Sequence, residues 1–233
     1  MIYIIYRNDK NNIKYRVKEF CTFMMNMTSQ ADLFGDIGVY PELLKHAKEH
    51  NYDRVTIYQE RRCLTDNGNI LLEQNIHDDK IYCVNYTSLK PNTELFRLSH
   101  PALHNTFLEF LKNVSIAMPE YEQTIRTFII SSTIYPHNMF SMPIDEFEKY
   151  VNWLGEVFKH IIVNDKIFTV PKPYSIIAER LFTIWCMHNY SLSEMKFVHA
   201  VAFSKEDGHI LDAETGVASE NGKTTTTYFK GID

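Results

Sequence analysis

Several features that define large classes of protein are missing from this chain. No apolar run approaches the ~20 residues that a membrane-spanning helix needs. There is no Gly-x-Ser-x-Gly, no His-Glu-x-x-His and no glycine-rich phosphate loop, so no motif supports a hydrolase. The four cysteines are scattered and form no Cys-x-x-Cys pair, which predicts reduced packing thiols rather than a disulfide scaffold: Cys21, Cys63, Cys83 and Cys186.

Positive charge is also in short supply. The net charge of −5 argues against nucleic acid as the main partner, because binding a phosphate backbone requires a basic face. Ile2 to Tyr6 is too short for the apolar segment of a signal peptide, and no small-residue cleavage site follows it. We therefore expect a cytoplasmic protein without a transmembrane segment, and peripheral contact with the inner face of the membrane stays open.

What is present indicates a single α/β domain. With 233 residues, of which 45% are hydrophobic, the chain is long enough to bury a substantial core. A strand at 2–6, a helix at 38–49 and a strand at 54–58 follow the pattern of a parallel sheet. Apolar spacing then predicts a strand at 81–84, helices at 102–114 and 120–128, and a strand at 197–203.

Residues 1–203 would form the domain. The polar residues 204–233 would form either a flexible tail or an added edge strand at 224–229.

One further helix is predicted to begin at Pro143, which suits the first helical position. Its apolar spacing continues through Ile161 and leaves Trp153 beside the buried stripe. His137 and Asn138 precede this helix within an otherwise apolar segment. A buried amide needs a partner, so Asn138 is either satisfied by the protein itself or contacts a ligand.

A second helix start carries a carboxylate. Ser175 is placed to cap this helix, and Glu179 follows one turn later. The helix dipole favours the ionised form of a carboxylate near a helix start. Glu179 therefore suits either an ion pair with a nearby cation or a general base that must be deprotonated at neutral pH.

Together these segments resemble a family of bacterial capsule and exopolysaccharide glycosyltransferases that was first catalogued as a domain of unknown function. In the second half of the chain, order and spacing both match: Pro119 to Tyr121, Asn138-Met139-Phe140 with Met142, Phe147, Tyr150, Trp153-Leu154, and Glu179-Arg180-Leu181 with Trp185. In the first half, Tyr52 to Arg62 resembles the family's strand ending in His-Tyr-Arg-Arg-Tyr. The sequence departs from that pattern at Gln59, Glu60 and Cys63.

The resemblance implies a GT-A-like fold, with a Rossmann-type mixed sheet flanked by helices. It also implies transfer of a sugar from a nucleoside-diphosphate sugar, with UDP-sugars favoured, to a hydroxyl of a growing glycan. Glu179 would be the general base of an inverting reaction, and Arg180 a pairing or phosphate-facing cation. Asn138 would bind a sugar hydroxyl, with His137 beside it in the substrate site. Tyr135 and Trp153 would either stack on sugars or belong to the core.

Three arginines are candidates for binding the diphosphate. Arg7, Arg61 and Arg62 follow predicted strands, and open α/β sheets bind ligands at the carboxyl ends of their strands. The resemblance places Arg61 and Arg62 on the family's paired arginines. Arginine binds phosphate through bidentate hydrogen bonds, whereas a solvated arginine pair beside Glu60 would form only a weak surface ion pair.

A metal site is harder to predict. Many GT-A enzymes hold Mn²⁺ or Mg²⁺ with an Asp-x-Asp motif, which this sequence lacks. Asp78 and Asp79 offer adjacent carboxylates, although acidic residues ahead of a strand also occur in solvated turns. Without a metal, the arginines would stabilise the leaving diphosphate, so metal dependence stays open.

The departures at Gln59, Glu60 and Cys63 keep a second interpretation open. In that interpretation the chain has the transferase fold without its chemistry, and it binds a glycan or a protein partner.

Overall fold

A mixed β-sheet, covered on one face by helices, forms the frame of the molecule. The computed structural model describes residues 2–6, 23–26, 35–59, 62–66, 69–71, 76–161, 170, 172–203 and 210–214. Its strands are β1 (Ile2–Tyr6), β2 (Phe23–Asn26), β3 (Arg54–Gln59), β4 (Arg62–Asp66), β5 (Asn69–Ile70), β6 (Ile81–Val84), β7 (Tyr86–Thr87), β8 (Thr133–Ile134), β9 (Phe140–Pro143), β10 (Met195–Phe203) and β11 (Ile210–Glu214).

Five of these strands close into a ring. In the order β3, β9, β6, β10 and β4, each pairs with the next, and β4 returns to β3 where Gln59 pairs with Arg62. β9 runs antiparallel to both β3 and β6, so β3 and β6 point the same way. β1 extends the sheet beyond β3 as a parallel strand, and β2 pairs in parallel with β1. β5 pairs with β4 and β11 with β10, whereas β7 and β8 form a separate two-stranded sheet.

Alternation along the strands gives the ring two different faces, because successive side chains point to opposite sides. One face of β3 and β6 carries Val55, Ile57, Ile81 and Cys83, which join the large core beneath the helices. The opposite face packs a smaller cluster inside the ring: Tyr58, Cys63, Leu64, Leu71, Tyr82, Val84, Met139, Val198 and Ala200. The hydroxyls of Thr56 and Ser141 lie 2.7 Å apart between β3 and β9, so each satisfies the other.

The helices are α1 (Tyr40–Glu49), α2 (Asn92–Ser99), α3 (His104–Ala117), α4 (Glu122–Ile130), α5 (Ile144–Phe158) and α6 (Pro173–Asn189). Short 3₁₀ helices precede four of the regular elements, at Gly35–Val39, Pro101–Leu103, Pro119–Tyr121 and Leu192–Glu194. α6 is buried along most of its length and on several sides, which makes it the central helix of the core.

α5 follows the sequence prediction closely. Pro143 caps its start, Asp145 and Glu146 occupy its first turn, and its buried stripe includes Phe147, Tyr150 and Trp153. Acidic side chains in the first turn complement the positive end of the helix dipole. The predicted strands at 2–6, 54–58, 81–84 and 197–203 and the predicted helices at 38–49, 102–114 and 120–128 are also found, with shifts of a few residues at their ends.

The predicted mixed α/β architecture is confirmed, but the Rossmann-type part of the prediction needs correction. An open sheet was expected, but the pairing of β3 with β4 closes the central strands into a ring. In addition, β9 lies between the parallel strands β3 and β6 and runs antiparallel to both. Within the residues that the structure describes, no helix is long and apolar enough to span a bilayer.

The end of the chain holds one strand that sequence reasoning missed, because β11 (Ile210–Glu214) pairs antiparallel with β10. The predicted edge strand at 224–229 lies outside the described residues.

Candidate functional site

One edge of the sheet collects most of the predicted site residues. β3 ends there at Gln59, β6 at Val84, and the antiparallel β4 begins there at Arg62. His137 and Asn138 immediately precede β9, which also begins at this edge. The strand directions therefore bring together residues that are far apart in the sequence.

His137 and Asn138 form a tight turn before β9. Both have left-handed backbone conformations, with φ of 77° at His137 and 49° at Asn138. Non-glycine residues adopt this conformation rarely, and Asn tolerates it better than most. The turn is fixed from β3, because the side-chain nitrogen of Gln59 donates to the His137 carbonyl at 2.6 Å. The hydroxyl of Tyr40 also donates to the Asn138 carbonyl, at 3.4 Å.

The Asn138 side chain lies inside a buried polar network. Its Nδ2 lies 3.1 Å from the carbonyl and 3.3 Å from the hydroxyl of Ser175, and 3.5 Å from a carboxylate oxygen of Asp36. The Ser175 hydroxyl in turn donates to Asp36. Asn138 is fully buried, and its Oδ1 has no hydrogen-bond partner among the described residues. This network ties the turn to the 3₁₀ helix before α1 and to the first turn of α6.

Asp36 is the charged member of this network. Burial raises the pKa of its carboxyl, and the negative charge of Glu179 raises it further. The hydrogen bond from Ser175 and the charge of Lys172 act in the opposite direction. A buried carboxylate needs hydrogen bonds to stay ionised, and Ser175 and Asn138 supply them.

Glu179 and Arg180 lie one turn further along α6. The Glu179 side chain is 26% exposed, and its Oε2 lies 3.5 Å from Nη1 of Arg180, whose side chain is only 7% exposed. Burial lowers the pKa of the Arg180 guanidinium, whereas Glu179 raises it. The site thus pairs an accessible carboxylate with an enclosed cation.

Arg180 has few partners for a buried cation. Its guanidinium carbon lies 5.7 Å from the ring centre of Phe96, and its Nε has no hydrogen-bond partner among the described residues. Buried polar atoms are normally paired, so the orphaned Arg180 Nε and Asn138 Oδ1 are two atoms that a polar or anionic ligand could satisfy.

The departures from the family pattern have structural consequences here. Gln59, which replaces the family histidine, accepts from Nη1 of Arg62 at 3.2 Å while donating to His137. Gln59 therefore joins Arg62 to the turn before β9. Arg7, Glu60 and Arg61 lie outside the described residues.

The predicted metal ligands lie elsewhere. Asp78 and Asp79 precede β6, at the opposite edge of the sheet from Gln59. Arg54, at the beginning of β3, donates to the Asp78 carbonyl at 2.7 Å, and a cavity of about 410 Å³ adjoins these residues. No three His, Cys, Asp or Glu side chains are grouped for metal binding in the part of the chain that the structure describes. The structure does not bring Asp78 and Asp79 together with Glu179, and metal binding by them stays a prediction.

Three other predicted side chains have structural positions. Tyr135 and Trp153 are 4% and 8% exposed and pack in the main core, which favours the core interpretation of both. The predicted cap at Ser175 is wrong, because α6 begins at Pro173 after Lys172, and Ser175 lies within the first turn. Its hydroxyl is committed to Asp36 instead.

Sequence reasoning missed Asp36 altogether. Asp36 follows Gly35, and a Gly-Asp pair is ordinarily typical of an exposed turn. No local pattern indicates that this aspartate is buried against a helix more than a hundred residues away.

Comparisons with known proteins agree with this architecture. A family model described as "Domain of unknown function (DUF4422)" matches residues 40–190, which is more than half of the chain. No curated protein matches the sequence. Among solved structures, the fold is similar to the apo structure of the WbbM bifunctional glycosyltransferase, with a TM-score of 0.62 at 16% identity. The alignment covers 94% of this chain and 46% of that one, so the chain spans about half of that protein's length.

Proposed function

The chain belongs to the DUF4422 family, and from this premise we propose that it is a GT-A-type glycosyltransferase. It would move a sugar from a nucleoside-diphosphate sugar, most favourably a UDP-sugar, to a hydroxyl of a growing surface polysaccharide. The reaction would take place in the cytoplasm, at the inner face of the membrane. The likeness of the fold to that of WbbM supports this assignment.

The observation that carries the proposal is the pairing of Glu179 with the buried Arg180 at the edge of the sheet. A partly exposed carboxylate can reach an acceptor hydroxyl, and a guanidinium with an unpaired nitrogen can meet an anionic leaving group. Glycosyl transfer from a nucleotide sugar requires both of these at one place.

In the proposed reaction, Glu179 removes the proton of the acceptor hydroxyl while its oxygen attacks C1 of the donor sugar. A bond forms between that oxygen and C1 as the bond from C1 to the diphosphate breaks. The electron pair of the broken bond leaves with the diphosphate. Attack on the face opposite the leaving group inverts the anomeric carbon.

Arginines would stabilise the charge that develops on the diphosphate. Arg180 lies beside Glu179, and Arg62 lies at the same sheet edge through its bond to Gln59. Arg7 and Arg61 complete the proposed diphosphate set. Cations fixed in position before the reaction stabilise developing charge without reorganising. His137 and Asn138 would shape the sugar site, with the orphaned Oδ1 of Asn138 as the acceptor for a sugar hydroxyl.

A Mn²⁺ or Mg²⁺ ion held by Asp78 and Asp79 does not fit into this mechanism. Those residues lie near the amino ends of β3 and β6, at the opposite edge of the sheet from Gln59, and Oδ1 of Asp78 already accepts from Tyr82. The proposed steps therefore use only groups of the chain, and metal dependence is a question for experiment.

A thermal-shift screen tests the proposal first. UDP, GDP, CDP and dTDP would each be added with Mn²⁺, Mg²⁺ or EDTA. A nucleotide at one hundred times its dissociation constant stabilises the folded state by about 2.7 kcal/mol, so one nucleotide should raise Tm clearly. A dependence on EDTA would assign a metal, and the absence of any shift would contradict the proposal.

Glu179→Gln tests the base. With the corresponding nucleotide sugar, we expect kcat to fall by about 10²–10⁴-fold, because the amide cannot accept the proton. Binding of the nucleotide should be unchanged. Glu109→Gln, on the exposed side of α3, is the matched control and should retain full turnover. Near-normal turnover by a folded Glu179→Gln variant would exclude this residue as the base.

A catalytically inactive module that binds a glycan or a protein is the second candidate. The replacement of the family histidine by Gln59 favours it, although Gln59 still holds both Arg62 and the turn before β9. Slow hydrolysis of a nucleotide sugar by the wild-type protein would exclude this candidate, whereas nucleotide binding alone would not.

A further inference from the structure

His100 lies next to the proposed site but belongs to a different element. It directly follows α2, and its ring centre lies 5.3 Å from that of Phe96. The same Phe96 ring lies 5.7 Å from the Arg180 guanidinium carbon. Phe96 therefore lies close both to the histidine that follows α2 and to Arg180 on α6.

The hydrogen bonds around His100 favour one tautomer of its ring. The Ser99 hydroxyl lies 2.9 Å from the Leu95 carbonyl and 2.8 Å from Nδ1 of His100. A carbonyl can only accept, so the single Ser99 hydroxyl hydrogen is donated to Leu95. Both contacts are then satisfied only if His100 Nδ1 carries a hydrogen and donates it to Ser99. In the neutral ring this leaves a lone pair on Nε2.

Burial favours the neutral form of the His100 ring near pH 7. Burial lowers its pKa, and the positive charge of Arg180 lowers it further, whereas Glu179 raises it. These two α6 side chains are the charged groups among the described residues that act on His100. Nε2 is thus an unprotonated acceptor on a ring that responds to the charges of Glu179 and Arg180.

We propose that His100 is a further substrate-binding residue, whose Nε2 accepts a hydrogen bond from a hydroxyl of the glycan acceptor. The hydroxyl would neighbour the one that Glu179 deprotonates, which would fix the acceptor in register with the base. This inference rests on the proposed glycosyl transfer, because it assigns a role within the same site.

The tautomer can be measured without any substrate. Two-bond ¹H–¹⁵N correlation spectra of the ¹⁵N-labelled full chain at pH 7.5 distinguish a ring protonated at Nδ1 from one protonated at Nε2, and His100→Asn identifies the signal. We expect the Nδ1–H form. An Nε2–H form would overturn the inference and leave the proposed glycosyl transfer untouched.

Two substitutions test the role in binding. The amide of His100→Asn keeps a donor near Nδ1 but loses the Nε2 acceptor, whereas His100→Gln places an amide oxygen near Nε2. With the nucleotide sugar selected by the thermal-shift screen and a panel of octyl glycosides as acceptors, His100→Asn should raise the acceptor KM about five- to tenfold, the loss of one neutral hydrogen bond. The KM for the nucleotide sugar should stay unchanged, and His100→Gln should restore the acceptor KM.

Dependence on pH separates this role from a structural one. In the wild-type protein, the acceptor KM should rise as the pH falls through the lowered pKa of His100, which lies below the ordinary histidine value of about 6.5, since a protonated Nε2 cannot accept. His100→Gln should lack this rise, and the exposed control His50→Asn should retain it. An unchanged acceptor KM in His100→Asn would overturn the inference alone, whereas a wild-type protein that turns over no nucleotide sugar would overturn the proposed function and the inference together.

Discussion

At the scale of single residues, Asp36 has the largest influence on the geometry of the site. It accepts from Ser175 in α6 and from Asn138 in the turn before β9, so one carboxylate orients two elements. Asp36 itself has no role in the proposed reaction, and it acts on the substrate site only through Asn138, to which it is hydrogen-bonded. Asp36 is therefore a positioning residue, and its contribution should appear in stability before it appears in chemistry.

Replacing Asp36 tests this role. Asp36→Ala leaves the buried Ser175 hydroxyl without an acceptor and should lower the free energy of unfolding by about 1–3 kcal/mol. Asp36→Asn should lower it less, because an amide can still bond to both neighbours. Asp53→Ala, at an exposed aspartate, should change it by less than about 0.5 kcal/mol. Urea unfolding of the three variants measures these differences, and equal stability of Asp36→Ala and Asp53→Ala would contradict the assigned role.

The raised pKa of Asp36 also fixes the sign of a pH effect. The folded state holds this proton more tightly than the unfolded state, so the stability contributed by Asp36 falls as the pH rises from its ordinary pKa of 3.8 to the raised value. Asp36→Asn has no such proton. The unfolding free energy of Asp36→Asn should therefore rise relative to that of the wild type as the pH increases across that interval. Urea titrations at a series of pH values measure this difference.

At the scale of elements, the site depends on the close approach of the 3₁₀ helix Gly35–Val39 to the first turn of α6. Gly35 has a φ of 56°, and a Cβ built on it would lie 2.8 Å from the Cβ of Ser175. Both the backbone conformation and the space therefore require glycine at this position. This contact sets the distance between Asp36 and Ser175.

Two glycine substitutions should have opposite effects. Gly35→Ala should lower the unfolding free energy by about 1–3 kcal/mol, because it adds backbone strain and overpacks against α6. Gly155→Ala, in α5 where nothing outside the local helix backbone lies within 4 Å of the added carbon, should raise it by about 0.5–1 kcal/mol through helix propensity. Differential scanning calorimetry would compare both with wild type. A stabilising Gly35→Ala would show that the two elements can separate without loss.

At the scale of the whole molecule, the closed ring of strands and the helices on its outer face bury three cysteines in two clusters. Cys63 belongs to the cluster inside the ring, and Cys83 and Cys186 belong to the main core. Burial raises the pKa of Cys63 to about 12 and raises the pKa values of the other two thiols as well. The sequence prediction of packing thiols is confirmed for these three, and Cys21 lies outside the described residues.

Thiol reactivity therefore reports on global unfolding. Because the thiolate is the reactive form, Cys63, Cys83 and Cys186 should resist iodoacetamide in the native protein. All three should become reactive together across the urea transition, since two clusters that share the strands of one ring should open cooperatively. Mass spectrometry of the labelled peptides measures each site. Labelling of Cys63 well before Cys83 and Cys186 would show that the ring opens independently of the helical core.

The sequence by itself determined the elements and their buried faces. Periodic apolar spacing indicated the buried stripe of α5 and placed Trp153 beside it, because burial imposes a local repeat that is visible in the sequence. Pro143 indicated where the helix starts. The Glu179–Arg180 pair was also found from sequence, since adjacent residues stay neighbours in any fold.

Only the tertiary structure decided which distant polar groups meet. Asn138 and Asp36 are 102 positions apart, and Ser175 and Asp36 are 139 apart, so no local repeat connects them. Strand direction placed Asp78 and Asp79 at the edge of the sheet opposite Gln59. The pairing of Gln59 with Arg62 closed the sheet, whereas the sequence pattern had indicated an open one. The physical reason is that periodicity records whether a side chain is buried, whereas the packing of whole elements decides what it is buried against.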